Sequence, residues 1–379
     1  MRKVPNSNTI RVLETIRQGQ IGGGESHLLD LVENLDKSLF EPVVLSFTDG
    51  PMVDRLQQMG IATHVIPTTR PFDVTRWKAV KQFIAAQNVQ LVHAHGTRAH
   101  SNVSWAARKL HLPVVYTVHG WSFHDNQPFP LKQLRILGEK YLTRRATVNI
   151  SVSQSVHETG QHHFAGYQSV IIPNGINQQK FNPDRALKDI RAELNIPRAS
   201  LLALFLARFT EQKQPLTMIR AFEAAAAQHP GLCLLMVGDG ELKKEADALV
   251  AASPYRDRIF MQSFRQDVPD ILAAADLYVL PSLWEGLPLG LLEAMAMGKA
   301  VIASRADGTR EVIRHENNGL LVAVEQLQEQ VAAALLQLAH DAPLRARLGQ
   351  EARATISNTY SAANMTRQVE AIYKRLVKQ

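Results

Sequence analysis

Several features that define other protein classes are missing from this chain. It has one cysteine among 379 residues, so no disulfide can form within it, and we expect a reducing compartment. Cys233 lies in the apolar run 232–237, which favours a buried strand residue over a nucleophile. The longest unbroken apolar runs are far too short to span a bilayer. Arg2 and Lys3 are followed by polar residues where a signal peptide needs apolar ones, so we expect a cytoplasmic protein.

Motifs for binding a dinucleotide and for binding nucleic acid are also missing. Gly19, Gly22, Gly23 and Gly24 do not form the G-x-G-x-x-G pattern, and no acidic residue ends the second predicted strand. An NAD-dependent oxidoreductase is therefore disfavoured. The sequence contains no recognised nucleic-acid-binding motif and no basic stripe interleaved with aromatic residues, so nucleic acid is not an expected partner.

The charge that is present is distributed unevenly. Residues 1–175 hold 18 Lys and Arg against 12 Asp and Glu, which accounts for most of the net charge of +7. Eleven of the 14 histidines fall in the same half. A basic first half is suited to contact with anionic lipid or an acidic glycan.

Short apolar runs alternate with helical periodicity twice along the chain. In the first half, strands are predicted at 10–15, 42–47, 63–66, 89–94, 113–118, 147–152 and 169–172, with helices near 25–36, 51–59, 74–87 and 98–111. In the second half, strands are predicted near 201–207, 232–237, 258–262, 276–281, 300–304 and 319–322, and helices at 326–340, 343–357 and 361–378. Repeated βαβ units predict parallel sheets covered by helices on both faces. The length favours two domains.

The segment from 276 to 298 predicts a strand, a tight glycine turn and a helix start. Pro288 suits the first position of that helix, and apolar residues recur at helical spacing after it. The free amides and the positive dipole end of a helix start favour an anion such as a phosphate. Glu285 lies in the turn and Glu293 about one helical turn inside. These carboxylates can bind hydroxyls on either side of the anion, which is the pattern that a nucleotide sugar requires.

A second predicted loop supplies cations. Arg208 and Lys213 follow the apolar run 201–207, between a strand and a helix. Arginine offers a planar fork and lysine a mobile point charge, so the pair can clamp a diphosphate. Such a clamp can neutralise the charge that develops on a leaving nucleoside diphosphate.

Glycines follow the first predicted strand. Gly22, Gly23 and Gly24 open the helix near 25–36, where glycine lets backbone amides approach a ligand closely and permits φ > 0. A purely structural turn is the alternative.

Histidines lie at two predicted strand ends. His119 and Gly120 end the strand at 113–118, at the edge where open α/β sheets bind ligands, although a structural histidine is the alternative. His93 and His95 are expected to face the same side of the preceding strand. They could form a metal pair, but no Asp or Glu accompanies them at ligand spacing, so we predict no metal site.

The segment 131–145 predicts a basic amphipathic helix. Its apolar stripe consists of Leu131, Leu134, Leu137, Tyr141 and Leu142, and five Lys and Arg lie largely off that stripe. Such a helix can lie on an anionic membrane surface. The alternative, which we favour because the fold needs a helix here, is that the stripe is buried in the domain core.

Together, Arg208 with Lys213, the loop 237–240 and the Glu285-x7-Glu293 segment resemble the retaining glycosyltransferases of family 4. The similarity extends over nearly the whole chain. It implies an α/β fold of two Rossmann-like parallel-sheet domains facing a cleft, the GT-B architecture. It implies an acceptor-side domain at 1–173, a nucleotide-sugar-binding domain at 174–360, and a last helix at 361–379 that packs back onto the first domain.

The resemblance also implies roles for individual residues. Arg208 and Lys213 are expected to neutralise the departing diphosphate, Glu293 to bind the ribose diol, and Glu285 to hold a sugar hydroxyl. His119, Gly120 and the glycine loop are expected to face the sugar and the acceptor. The other expected donor-site residues are Gly238, Asp239, Gly240, Phe264, Gly286, Leu287, Pro288 and Leu289. No protein nucleophile is assigned, because in the family the leaving phosphate itself takes the proton of the acceptor.

The expected reaction is transfer of a hexose-like group to an acceptor hydroxyl, with a UDP-sugar as donor, a GDP-sugar as the alternative, and no cofactor or metal. The expected acceptor is a glycan or a lipid-linked glycan of the cell envelope, lipopolysaccharide or capsule, with peripheral contact to an anionic membrane. A nucleotide-sugar 2-epimerase and a catalytically silent nucleotide- or glycan-binding subunit are the alternatives. Ala207, Gln214 and Ser263 replace glycines that are usual in the family. Each is small or polar, so the diphosphate clamp is expected to survive, whereas recognition of the base near 263–265 is left open.

Overall fold

The computed structural model describes residues 9–124, 127–356 and 358–377. The segment containing Arg2 and Lys3, on which the signal-peptide argument rests, lies outside the described residues, as do the last two positions of the chain. The chain divides into two compact units, Met1–Gly175 with Thr359–Gln379, and Ile176–Asn358. No helix in the described ranges is both long enough and apolar enough to cross a membrane.

The first unit is built on a seven-stranded parallel sheet in the spatial order β3-β2-β1-β4-β5-β6-β7. The strands are β1 (Ile10–Ile16), β2 (Phe40–Ser46), β3 (Ala62–Val65), β4 (Leu91–His95), β5 (Val114–Val118), β6 (Val148–Ser151) and β7 (Val170–Ile171). The helices are α1 (Gly23–Asn34), α2 (Pro51–Gln58), α3 (Trp77–Gln87), α4 (Thr97–Lys109), α5 (Phe129–Thr143) and α6 (Gln154–His163). The strand order reverses between β1 and β4, and open sheets bind ligands beyond the carboxyl ends of strands at such a point.

The last helix of the chain completes the core of this first unit. Met365, Val369 and Tyr373 are buried against apolar residues of the sheet and of α1, including Val12 and Leu31. This helix, α15, spans Ala362–Val377. Burial of its apolar face against the sheet supplies the main stabilisation of such a helix, because isolated helices of this length are marginal in water.

The second unit has a six-stranded parallel sheet in the order β10-β9-β8-β11-β12-β13. Its strands are β8 (Leu201–Leu206), β9 (Leu232–Val237), β10 (Ile259–Gln262), β11 (Leu277–Leu280), β12 (Ala300–Ser304) and β13 (Leu320–Val322). Its helices are α7 (Ile190–Glu193), α8 (Pro215–Ala226), α9 (Lys243–Ala252), α10 (Val268–Ala274), α11 (Leu289–Ala296), α12 (Asp307–Arg310), α13 (Leu327–His340) and α14 (Ala342–Thr355). Here the order reverses between β8 and β11.

The predicted fold class of two parallel-sheet α/β domains is confirmed. The inner strands are almost wholly buried, because both faces of each sheet are covered there and the chain supplies apolar runs rather than alternation. The edge strands β3 and β7 are partly exposed. Several boundaries differ by up to three residues from those expected. For example, the helix expected to start at 74 begins at Trp77, after a turn in which Phe72 has a positive φ.

Candidate functional site

Two loops meet at the strand-order reversal of the second unit. One follows β8 and contains a 3₁₀ turn at Glu211–Lys213, and the other follows β11. The backbone carbonyl of Gln212 accepts the N–H of Leu283 at 2.8 Å, and the Gln212 side-chain amide donates to the carbonyl of Trp284 at 2.7 Å. Gln212 therefore joins the loops. Gln212 could not be identified from the sequence, because a glutamine in a loop carries no pattern.

The joined loops bring Lys213 against Glu285. The ammonium donates a hydrogen bond to the carboxylate Oε1, and the side chains of Lys213 and Glu285 are only 16% and 6% exposed. The side chain of Arg208, which was expected to share a ligand with Lys213, is exposed. An ammonium has three donors, so Lys213 can keep its carboxylate partner and still bind an anion.

Gln214 carries a conformation that normally belongs to glycine. Its φ and ψ are 56° and 49°, in the left-handed region, directly before α8 begins at Pro215. The side chain is held on both sides, since its Nε2 donates to the carbonyl of Glu211 at 2.7 Å and its Oε1 accepts from the Thr217 hydroxyl at 2.5 Å. These local bonds offset part of the cost of the backbone conformation.

Helix α11 begins at Leu289, one residue later than expected, and Pro288 is its N-cap with extended ψ. The turn before it is closely packed. A Cβ at Gly308 would lie 1.8 Å from the carbonyl oxygen of Gly286, and a Cβ at Gly290 would lie 2.7 Å from the hydroxyl of Tyr278. Glycine at 308 and 290 thus allows the turn and the helix start to pack against the sheet.

Glu293 lies on α11, partly buried beside the same turn. Burial raises the pKa of its carboxyl group to about 7, although the charge of Lys180 acts in the opposite direction. Tyr278 beneath it stays a neutral phenol, because burial, and then the charges of Glu293 and Glu285, raise its pKa. A carboxyl group with a pKa near neutrality can accept hydrogen bonds from hydroxyls when ionised and donate one when protonated.

The loop after β9 places Asp239 beside an exposed aromatic ring. Gly238 has a φ of 146°, and a Cβ there would lie 2.0 Å from the carbonyl oxygen of Ala207. Asp239 Oδ2 accepts the backbone N–H of Phe264 at 2.8 Å, so its carboxylate holds that loop. The side chain of Phe264 remains 37% exposed, and Gly240 is exposed beside it.

In the first unit, the structure brings the glycine loop and His119 together. Gly22 is the N-cap of α1 and has extended backbone angles, and Gly23 and Gly24 form its first turn. None of the three has a positive φ, so the backbone freedom that glycine permits is not used here. Gly24 lies directly beside the His119 ring, since a Cβ at this position would be in ordinary van der Waals contact with it, 3.6 Å from Cδ2. Gly120 is exposed directly after His119.

A buried cluster surrounds His119. His95 Nδ1 lies 3.2 Å from His119 Nε2, and His95 Nε2 lies 2.9 Å from the carboxylate of Glu14. His93 faces the same side, as expected, with Nδ1 3.3 Å from that carboxylate. The expectation that no carboxylate accompanies His93 and His95 is therefore wrong, because β1 lies beside β4 and supplies Glu14. One signal was available, since Glu14 is an acidic residue inside an apolar strand.

The last helix and the end of the first unit contribute to this cluster. The Tyr373 hydroxyl on α15 donates to Glu14 Oε1 at 2.7 Å, and His27 Nδ1 lies 3.0 Å from Asn174 Oδ1. Nitrogen and oxygen atoms of two groups lie close enough to hold a metal ion, namely His27 with His95 and His119, and Glu14 with His93 and His95. Sequence reasoning missed Glu14, His27, Asn174 and Tyr373 because they lie far apart along the chain.

Helix α5 exposes most of its apolar stripe. Leu134 and Leu137 are 66% and 61% exposed, and Phe129, Leu131 and Tyr141 are exposed as well, whereas Leu142 is buried. The favoured interpretation of a buried stripe is therefore wrong for most of it. The opposite side of the helix is held by Glu139, whose carboxylate accepts hydrogen bonds from the Thr97 and Tyr116 hydroxyls at 2.6 and 2.9 Å. Burial raises the pKa of Glu139.

Each of the two units matches the model of a known protein family. Residues 21–180 match the model described as Glycosyltransferase Family 4, and residues 187–355 match the model described as Glycosyl transferases group 1. The first match covers the glycine loop and His119, and the second covers Arg208, Lys213, Glu285 and Glu293.

Two curated relatives cover nearly the whole chain. The UDP-Gal:alpha-D-GlcNAc-diphosphoundecaprenol alpha-1,3-galactosyltransferase of Escherichia coli is 26% identical over 94% of this chain and 95% of its own length. The phosphatidyl-myo-inositol mannosyltransferase of Mycolicibacterium smegmatis is 29% identical over 93% of this chain and 90% of its own.

A solved structure confirms the architecture. Anabaena HepE, crystallised with UDP-glucose, superposes with a TM-score of 0.84 over 97% of this chain and 100% of its own, at 23% identity. At this identity the likeness shows the fold alone. The two-domain GT-B fold expected from the sequence is thereby confirmed.

Proposed function

The chain belongs to the glycosyltransferases of family 4 and group 1, and we propose that it transfers a sugar from a nucleotide diphosphate sugar to an acceptor hydroxyl with retention of configuration and without a metal ion. We propose a UDP-sugar as donor, with a GDP-sugar as the alternative. Support for UDP comes from the UDP-Gal in the name of the Escherichia coli relative and from the UDP-glucose bound to HepE. The 2-epimerase alternative is not favoured, because both curated relatives are named as transferases.

The observation that carries this proposal is the junction of the two loops in the second unit. Gln212 fixes the loop after β8 to the loop after β11, and this places the Lys213 ammonium on the Glu285 carboxylate directly ahead of the amino end of α11. A cation and free helix amides together favour a phosphate. Carboxylates beside an anion site suit hydroxyl groups, which a nucleotide sugar carries on both the sugar and the ribose.

The roles follow from these positions. Lys213 donates to the diphosphate while it remains bound to Glu285, and the exposed Arg208 adds a second cation when ligand is present. Glu285, oriented by Lys213, accepts a hydrogen bond from a sugar hydroxyl. Glu293 binds the ribose diol, and the exposed ring of Phe264 offers a stacking surface for the base. Cations and amides that stabilise a leaving diphosphate act on charge that grows in the transition state, which raises turnover.

The test uses the purified protein with EDTA present. A thermal-shift series with UDP, GDP and ADP identifies the base, since a ligand that binds only the folded state raises the melting temperature. NMR of the glycoside formed from the matching nucleotide sugar reports the anomeric configuration. We expect retention and full activity in EDTA. An inverted product, or activity only after Mg²⁺ or Mn²⁺ is added, would contradict the mechanism.

Variants test the residue roles. Glu285→Gln and Lys213→Ala are each expected to lower kcat by about 10²-fold or more, in the range seen for loss of one electrostatic stabiliser. Arg256→Ala is the matched control. Arg256 is exposed and lies before β10, at the amino ends of the strands, whereas the site lies in loops that follow the carboxyl ends of β8 and β11. Wild-type turnover in both Glu285→Gln and Lys213→Ala would exclude these roles. Binding without any transfer would favour the silent subunit.

We further propose that the acceptor is a lipid-linked glycan and that α5 lies on an anionic membrane. Five large hydrophobic side chains of α5 face solvent, and Arg144 and Arg145 at its end are exposed. A helix of this kind inserts its apolar side into the boundary between headgroups and acyl chains, and each nearby cation adds about 1 kcal/mol of attraction to anionic lipid. The buried Glu139 fixes the helix with this side outward.

Vesicle flotation tests this second part. We expect binding to vesicles that contain phosphatidylglycerol, weaker binding to pure phosphatidylcholine, and release by high salt. Leu134→Glu/Leu137→Glu should abolish binding while the turnover of a water-soluble acceptor stays unchanged. Gln133→Glu, an exposed polar position on the same helix, is the control. Equal binding by both variants would contradict the proposal, and so would a dimer in solution that buries α5.

A further inference from the structure

A chain of three side chains leads from the sheet interior of the first unit to His119. Glu14 on β1 is fully buried, and its Oε2 lies 2.9 Å from Nε2 of His95 at the end of β4. His95 Nδ1 in turn lies 3.2 Å from Nε2 of His119, which directly follows β5. The three residues come from adjacent strands, so the register of the sheet sets their spacing.

The protons in this chain can be placed from chemistry. Burial would raise the pKa of Glu14, but His93 and His95 hold it well below its usual range, so Glu14 is a carboxylate that only accepts. His95 Nδ1 and His119 Nε2 lie 3.2 Å apart and can share only one proton, so the two nitrogens cannot both donate. The burial that lowers the pKa of His95 to about 4 agrees with a neutral ring. A neutral imidazole has one N–H. His95 must donate from Nε2 to Glu14, which leaves its Nδ1 as an acceptor.

The same reasoning fixes His119. Burial, and then His27 and His95, keep the pKa of His119 well below its usual range, so this ring is also neutral. Because His95 Nδ1 accepts, His119 must donate from Nε2. Its remaining nitrogen, Nδ1, therefore carries the lone pair, and it has no hydrogen bond to any described residue.

We propose that Glu14 and His95 are positioning residues that hold His119 in one tautomer, so that His119 Nδ1 accepts a hydrogen bond from a hydroxyl of the sugar or of the acceptor. This inference rests on the proposed function. It gives His119 a defined direction of hydrogen bonding, since it accepts from a hydroxyl and does not donate to a phosphate. A carboxylate that fixes a histidine tautomer through the far ring nitrogen is a common device.

A bound metal ion is the competing use of the same atoms. His95 Nδ1 and His119 Nε2 can be metal ligands together with a ring nitrogen of His27. A metal would replace the proton between His95 and His119, so the hydrogen-bonded chain and the metal site exclude each other.

The direct test is NMR of ¹⁵N-histidine-labelled protein at pH 7, with His119 assigned by its loss in His119→Asn. We expect a neutral ring protonated at Nε2. A proton at Nδ1, a charged ring, or one equivalent of zinc in the purified protein would overturn the proposal. This measurement needs no substrate, so it can fail while glycosyl transfer is observed, and it can succeed where transfer is not.

Variants separate positioning from mere packing. His95→Phe removes the acceptor of the His119 proton, and a mixture of His119 tautomers is expected, with kcat lowered by about 10- to 100-fold, as for loss of an orienting partner. The affinity for UDP alone should not change. His100→Phe is the matched control, because His100 is equally buried on α4 and neither of its ring nitrogens has a partner among the described residues. A single wild-type tautomer together with wild-type kcat in His95→Phe would overturn the proposal.

Glu14→Gln provides a second variant in case His95→Phe does not fold. The side-chain amide is similar in size but carries no charge, so the Nε2–H form of His95 is no longer enforced. We expect a change in the His119 tautomer ratio and a lower kcat at unchanged UDP affinity. An unchanged ratio would count against the role of Glu14.

Discussion

The Lys213 ammonium and the Glu285 carboxylate form an ion pair that is almost withdrawn from water. From the sequence, the two residues were expected to bind different parts of a ligand, and the structure shows them bound to each other. Removing one member leaves the other partly buried without its partner, which costs more than the pair itself contributes.

Lys213→Ala is therefore expected to lower the free energy of unfolding by about 1 to 3 kcal/mol, besides its effect on turnover. The double variant Lys213→Ala/Glu285→Gln should be destabilised by less than the sum of the two single variants. Urea unfolding of all four proteins measures this. Strict additivity would show that the two side chains are not coupled.

Variants of Gln214 measure the free-energy cost of its left-handed backbone conformation. Gln214→Gly should be more stable than Gln214→Ala by about 1 kcal/mol, because both variants lose the side-chain hydrogen bonds and only alanine keeps a Cβ in this conformation. The comparison by thermal or urea unfolding needs no assumption about the lost bonds. If the two variants are equally stable, the strain at this position is absent in solution.

Glu293 predicts a stability that depends on pH. Burial raises the pKa of this carboxyl group to about 7 in the folded protein, so the unfolded chain ionises first as the pH rises from about 4.5. The folded state binds more protons in this window, and stability is lost as pH rises to about 7. Glu293→Gln should therefore be more stable than wild type by about 1 to 3 kcal/mol at pH 8, and the difference should vanish near pH 4.5.

The exposed Glu241 provides the control for this comparison. Glu241→Gln should have the same stability relative to wild type at both pH values. A Glu293→Gln protein that follows the wild-type curve across the range would contradict the raised pKa.

Buried histidines predict loss of stability in acid. Burial lowers the pKa values of His27, His95, His100 and His119, whereas in the unfolded chain they titrate near 6.5. The unfolded state binds more protons below that pH, so stability falls from pH 6.5 downward by about 1.4 kcal/mol per pH unit for each histidine. Glu293 acts in the opposite direction, because its raised pKa makes the folded state more stable as pH falls, but it is one group against four histidines. Urea unfolding at pH 7, 6 and 5 should show the decline, and His100→Phe should reduce its slope by about one histidine.

The pattern of apolar residues was sufficient to predict the fold, because both sheets are covered by helices on both faces. The run of β9 is buried along its whole length and that of β8 at all but its two end residues, so composition alone locates them. The side of α5 that faces the core was not predictable in this way. A helical period locates the stripe, but the buried side is decided by Glu139, an acidic residue whose partners Thr97 and Tyr116 lie on other elements.

The residues of the candidate sites also differ in whether a local sequence pattern locates them. Residues in the loops between a strand and the next helix, such as Lys213 and His119, could be located from their place in the βα alternation. Partners that join loops or strands could not, because Gln212 and Glu14 are identified by what lies beside them in space. Their contacts are hydrogen bonds between elements distant in sequence, for which no local pattern exists.

The meeting of Tyr373 with Glu14 has a consequence for how the protein is made. A ribosome releases the chain from its amino end, yet the sheet that contains Glu14 lacks its covering helix until residue 377 has left the exit tunnel. The unit at Ile176–Asn358 holds all of its own strands and can close earlier. Domains usually complete in the order of synthesis. Here the part translated first is finished last, and an interrupted translation product carries an open apolar surface for chaperones to hold.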